Sequence, residues 1–128
     1  MSTARDQVHA RFKLFTGELG GDLSLGKLAN DVEAFAASQK CAAKSIGVEY
    51  LEHERRLVIS LGYIEGGETY PVRLRSVSLG TASKLDAAAL ARLEKRMCDE
   101  AEKLKNVICH ELFVTEKDEF VMVFMTAE

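Results

Sequence analysis

Few side chains in this 128-residue chain have the type and setting for chemistry, and Glu111 stands first among them. It lies between Cys109 and Phe113 on one side of an apolar run, Val107 to Val114, so a carboxylate sits among hydrophobes. Buried, it needs a partner or a raised pKa, and either state suits a lipophilic cation or weak acid–base work. The alternative is an exposed or salt-bridged sheet glutamate facing Arg11, Arg73 or Arg75, because charge pairs are common on sheet faces. Tyr50, Tyr63, Tyr70, Phe113 and Phe120 offer aromatic faces for a flat or cationic ligand, or else pack the core and pair across strands. His110 shares its side with Ile108 and Leu112, the setting of a hydrogen-bonded core histidine, and His53 sits in an acidic turn that reads as solvated. Cys109 is a nucleophile only with a lowered pKa, and no cation stands beside it in sequence.

Several chemistries lack their motif. The sequence has no Gly-rich phosphate loop, no G-x-S-x-G, no H-E-x-x-H and no Cys–His spacing suited to a metal. No cofactor is implied, and binding is expected ahead of catalysis. Three cysteines without C-x-x-C spacing indicate neither a disulfide framework nor a zinc site, which fits a reducing cytoplasm. A net charge of -3 with basic residues spread along the chain argues against nucleic acid as a partner of this chain alone. No apolar run nears the roughly 20 residues that span a bilayer, and the polar start MSTARDQVHARF does not read as a signal segment, so neither a membrane nor a secreted location is expected.

The elements that must position these residues follow from periodicity. Val8, Ala10, Phe12 and Leu14 alternate with His9, Arg11 and Lys13, predicting a half-buried strand ended by Gly17, Gly20 and Gly21. Ser24 reads as the N-cap of an amphipathic helix with stripe Leu25, Leu28, Val32 and Phe35. Ile46 to Leu51 and Leu57 to Ile64 read as a hairpin closed by Glu52-His53-Glu54-Arg55, with a turn at Glu65 to Glu68. Tyr70 to Leu79 reads as a strand with a bulge near Arg75 and Ser76, and Pro71 marks a strand start or edge. Ser83-x-x-Asp86 resembles a capping box opening a second helix with stripe Leu90, Leu93, Met97, Ala101 and Leu104. A second hairpin, Val107 to Val114 and Phe120 to Met125, closes the chain. Its last strand is apolar on both sides, so both faces should be covered, by the core and by a cleft or a partner subunit.

The order strand, helix, strand, strand thus occurs twice, over about residues 8–64 and 69–126. Ala10-Arg11-Phe12-Lys13 aligns with Val72-Arg73-Leu74-Arg75, Tyr50 and Leu57 align with Phe113 and Phe120, and Glu111 takes the place of Val48. The expectation is one α+β domain, two βαββ units forming one curved, mostly antiparallel sheet with both helices on one face. Grooves at such junctions favour small molecules.

Ile46-Gly47-Val48-Glu49-Tyr50 and Glu111-Leu112-Phe113, each followed by a charged turn and an apolar strand, resemble the GyrI-like effector-binding family over about Val8 to Met125. The resemblance implies tandem strand-helix-strand-strand modules and a groove that takes lipophilic or cationic compounds, with an acidic residue at Glu111. Phe113 stands where the family usually has tyrosine, which weakens the hydrolase chemistry attributed to some relatives. The second expectation is a dimeric protein-interaction module: without its first strand, the element order also looks like the small acidic secretion-chaperone fold. A hydrolase or isomerase using the same groove ranks third, and the N-terminal proline of tautomerases is missing.

Overall fold

The computed structural model describes residues 9–38, 41–66 and 68–128. The chain runs β1 (Ala10–Glu18), α1 (Lys27–Ser38), β2 (Cys41–Leu51), β3 (Arg56–Glu65), β4 (Val72–Thr81), α2 (Ala87–Glu102), β5 (Val107–Val114) and β6 (Glu119–Ala127). The class is α+β, and every paired strand is antiparallel. Hydrogen-bonded ladders divide the strands into two three-stranded sheets rather than the single sheet expected, in the orders β1-β3-β2 and β4-β6-β5.

The two hairpins correspond in detail. Arg55 at the first tip and Asp118 at the second both adopt left-handed backbone, with φ of 49° and 59°. In both tips that residue's N–H closes a tight turn, Arg55 onto the Glu52 carbonyl and Asp118 onto the Thr115 carbonyl. Each hairpin also carries one irregularity near the start of its first strand, between Ala43 and Ser45 and between Val107 and Cys109. In both sheets the closing strand of the hairpin is the central one.

The main core gathers Leu28, Val32 and Ala36 of α1 with Leu57, Ile59 and Leu61 of β3 and Val121, Val123 and Met125 of β6. α1 is therefore enclosed by one face of each sheet. α2 packs elsewhere: Leu93, with Met97 and Ala101 beside it, meets Leu79, Phe120, Met122 and Phe124. Alternation on β6 sends 121, 123 and 125 one way and 120, 122 and 124 the other, so the helices lie on opposite faces of that sheet, not together as expected. β6 owes its unbroken apolar run to this double cover, and α2 fills the place where a partner subunit was expected.

Four further expectations need correction. The alternation in β1 is real, but its apolar side points out: Phe12 is 69% and Leu14 68% exposed. The polar side is the one turned to α1, where Phe15 meets the Phe35 ring edge-on at 5.7 Å and the Lys13 ammonium lies 6.0 Å from that ring's centre. Val8 lies outside the described residues. Asp86, three residues past the proposed capping serine, is itself the N-cap of α2, accepting from the Ala89 N–H at 2.9 Å. Ser24 does not cap α1, which opens at Lys27 after Gly26 takes a left-handed φ of 54°. The β4 irregularity falls between Ser78 and Gly80 rather than at Arg75, while Pro71 does precede an edge strand.

Candidate functional site

β2 and β5, the inner edges of the two sheets, lie side by side without a backbone ladder. Along the strands, three side-chain contacts join them instead, all at one spacing. The Cys109 thiol lies against the Ile46 backbone. The Glu111 carboxylate accepts the Val48 N–H at 3.3 Å, across 63 residues of sequence. Phe113 stacks on Tyr50 with ring centroids 5.6 Å apart and planes 27° from parallel. A constant offset in the same direction means the two strands run parallel, so residues aligned between the hairpins are also the ones that meet.

At the hairpin tips the Tyr50 hydroxyl donates to Glu116, whose other oxygen holds the Arg55 guanidinium at 2.5 Å. Burial, then the Glu116 hydrogen bond and charge, push the Tyr50 phenol up to about 12. The Glu116 carboxyl is held below its usual range, first by that hydroxyl. Burial also pushes the half-enclosed Cys109 thiol up, opposite to what a nucleophile needs.

Of the residues singled out from sequence, the fold brings Glu111, Tyr50 and Phe113 together at this seam. Tyr63 lies apart, edge-on to Phe35 at 5.4 Å beneath α1. Tyr70 donates its hydroxyl to the Ala43 carbonyl at 2.7 Å, tying the approach to β4 onto β2. Of the three arginines considered for Glu111, two are engaged elsewhere, Arg11 with Glu65 at 3.6 Å and Arg73 with Glu128 at 2.6 Å, and Arg75 on β4 does not pair with it. Glu111 instead supplies an edge-strand N–H with the acceptor its missing ladder would have given. His110, expected in the core, is exposed on the α2 side of its sheet, as is His53 at the first tip.

A cleft of about 430 Å³ with largely apolar walls is lined by none of the seam residues. One wall is the approach to α1, Ser24 to Gly26, with Ala29 from the helix's first turn. Leu74 to Val77 of β4 form the second, and Glu100, Lys103 and Leu104 at the end of α2 the third, with Phe124 of β6 behind. Both halves of the chain thus contribute. Two hydrogen bonds fix the first wall against the second: Ser76 Oγ donates to the Leu23 carbonyl at 2.9 Å, and Glu33 of α1 accepts the Leu74 N–H at 2.8 Å.

Glu100 is the charge buried in this cleft, 9% exposed. Lys103 reaches both of its oxygens, at 2.9 and 3.1 Å, and Arg96 comes within 3.9 Å. A larger trough of about 780 Å³ on the other side of α2 is a weaker candidate. Its long basic chains are already engaged, Arg92 on the Thr81 carbonyl and Arg96 on the Ser78 carbonyl.

The sequence reading missed the cleft because its walls come from ordinary stripe residues. One signal was present: Glu100 has basic residues at both helical-neighbour positions, four before and three after, on the edge of a predicted apolar stripe. Compared with protein families, curated proteins and solved structures, the chain matches none.

Proposed function

We propose that this chain is a small-molecule-binding domain, a tandem pair of βαββ units whose ligand lies in the cleft between α1, β4 and the end of α2. The observation that carries this reading is the cleft itself, about 430 Å³ with walls from both halves. That volume falls within the roughly 300–1,000 Å³ of pockets that enclose small molecules, and apolar walls with few polar groups are their usual lining. Leu25, Ala29, Leu74, Val77, Leu104 and Phe124 supply the apolar part. The matched hairpins and their meeting at one 63-residue offset support the duplication, and the resemblance to effector-binding modules agrees with a groove at the junction. Binding is favoured over catalysis because one hydroxyl and the buried carboxylate of the lining are already occupied: the Ser76 hydroxyl by a carbonyl and Glu100 by two cations.

The seam residues Glu111, Tyr50 and Phe113 hold the two sheets in the relation that forms the cleft. The rival reading, an interaction module, drew on the strand Phe120 to Met125, which is buried between α1 and α2. A thermal-shift screen with neutral, cationic and anionic apolar compounds tests the proposal. At least one class should raise the melting temperature, and Ser24→Trp, placing an indole at the mouth from an exposed position, should cut that shift by more than half. A shift untouched by Ser24→Trp and by a second filling substitution, Ala29→Phe, would place binding elsewhere and defeat it.

A further inference from the structure

We infer that the ligand of this cleft is an amphipathic anion, an aliphatic or aromatic body ending in a carboxylate; this rests on the binding reading above. The cleft does not end at Lys103 and Leu104. A second hollow of about 250 Å³ continues from it, sharing Arg75, Lys103 and Leu104 and adding Arg73, Lys105 and Glu128. The two hollows adjoin at these shared residues, the first lined largely by apolar side chains and the second by basic ones.

The charges decide the polarity of the guest. Four basic side chains, Arg73, Arg75, Lys103 and Lys105, border the second hollow and its junction with the first, against two carboxylates, Glu100 and Glu128. Glu100 is held by Lys103 and Glu128 by Arg73. Arg75 and Lys105 have no ion-pair or hydrogen-bond partner among the described residues. This local excess of positive charge stands in a chain whose net charge is -3, so general attraction of anions to the protein does not account for it. A cationic guest would meet Arg75 and Lys105 at the basic end and a buried Glu100 already neutralised at the other. A carboxylate would complete the planar, two-donor fork of Arg75 while its apolar body displaces water from Leu74, Val77 and Phe124.

Isothermal titration with three matched series tests this: n-alkyl carboxylates, n-alkyl trimethylammoniums and n-alkanols of six to twelve carbons, all below their aggregation limits. Carboxylates should bind, each methylene tightening the complex by up to about fourfold until the apolar end is full. The double variant Arg75→Gln, Lys105→Gln, with unchanged circular dichroism and melting temperature, should weaken decanoate by roughly tenfold or more and leave decanol unchanged. If trimethylammoniums bind as tightly as carboxylates, or if the double variant binds decanoate as wild type does, the anionic guest is refuted while the binding domain survives. If no series binds, both fall.

Discussion

Tyr50 shows how a single phenol can report on the junction of the two halves. It is half-buried against Phe113, and its hydroxyl is committed as a donor to Glu116. Both conditions favour the protonated form, so the folded-state pKa rises from 10.0 to about 12, against a smaller opposing pull from Arg55. A group whose pKa is raised by folding stabilises the fold fully below its unfolded value and loses that contribution as pH climbs through the folded one. For Tyr50 the loss therefore falls between pH 10 and about 12. Glu116 has the opposite sign: its pKa is lowered from the usual 4.5, so it adds stability above that value, and this is lost as pH falls through the folded pKa. We expect absorbance at 295 nm to show one tyrosine titrating late, and Glu116→Gln to bring it back toward 10. Were the titration of the variant superimposable on wild type, the hydroxyl would not be donating to Glu116 in solution.

At the scale of elements, the seam between β2 and β5 is where side chains do the work of a ladder. Glu111 satisfies the Val48 N–H, so removing its oxygen strands a part-buried donor, at a cost of about 1–3 kcal/mol. Glu111→Ala should lower denaturation stability by about that much, while Glu111→Gln, which keeps an amide oxygen as acceptor, should cost under about 1 kcal/mol. Equal losses in the two variants would mean that charge, not the acceptor, matters here. Much of this level was readable from sequence. β5 and its hairpin partner, the α1 stripe and both charged turns follow from period and turn chemistry, and Glu111 stood out because its aligned position is Val48. What could not be read was which face of each strand meets what. Phe12 and Leu14 alternate as a buried side should, yet α1 settles against the opposite side, through Phe15 and Tyr63. Periodicity gives two faces, and only tertiary packing says which one is covered. The cleft escaped notice for the same reason, being assembled from Leu25, Leu74 and Leu104, residues far apart in sequence and individually unremarkable.

The molecule as a whole joins its two halves by more than the seam. α1 belongs to the first half by sequence, yet Val32 and Ala36 share one core with Val121, Val123 and Met125 of the second. Its Glu33 side chain also caps the Leu74 N–H of β4. Neither half can expose that core without stripping the other, so the two are expected to unfold together even if they arose by duplication. In a Tyr70→Phe background Tyr50 and Tyr63 report on the first half by fluorescence, and Cys109, part-enclosed at the seam, reports on the second by its reaction with a thiol reagent in a Cys98→Ser, Cys41→Ser background. In urea both probes should trace one transition with the same midpoint, and an m-value of about 1–3 kcal/mol per molar, as for one cooperative unit of this size. Because α2 packs on the far face, through Leu93 and its neighbours and the Arg92 and Arg96 hydrogen bonds to β4 carbonyls, it is the element whose loss should disturb this least. Leu93→Ala is expected to cost about 2–4 kcal/mol while keeping the two midpoints coincident. Separated midpoints in the wild-type chain would show that the shared core around α1 does not bind the halves into one folding unit, and the cleft between them would then be free to open.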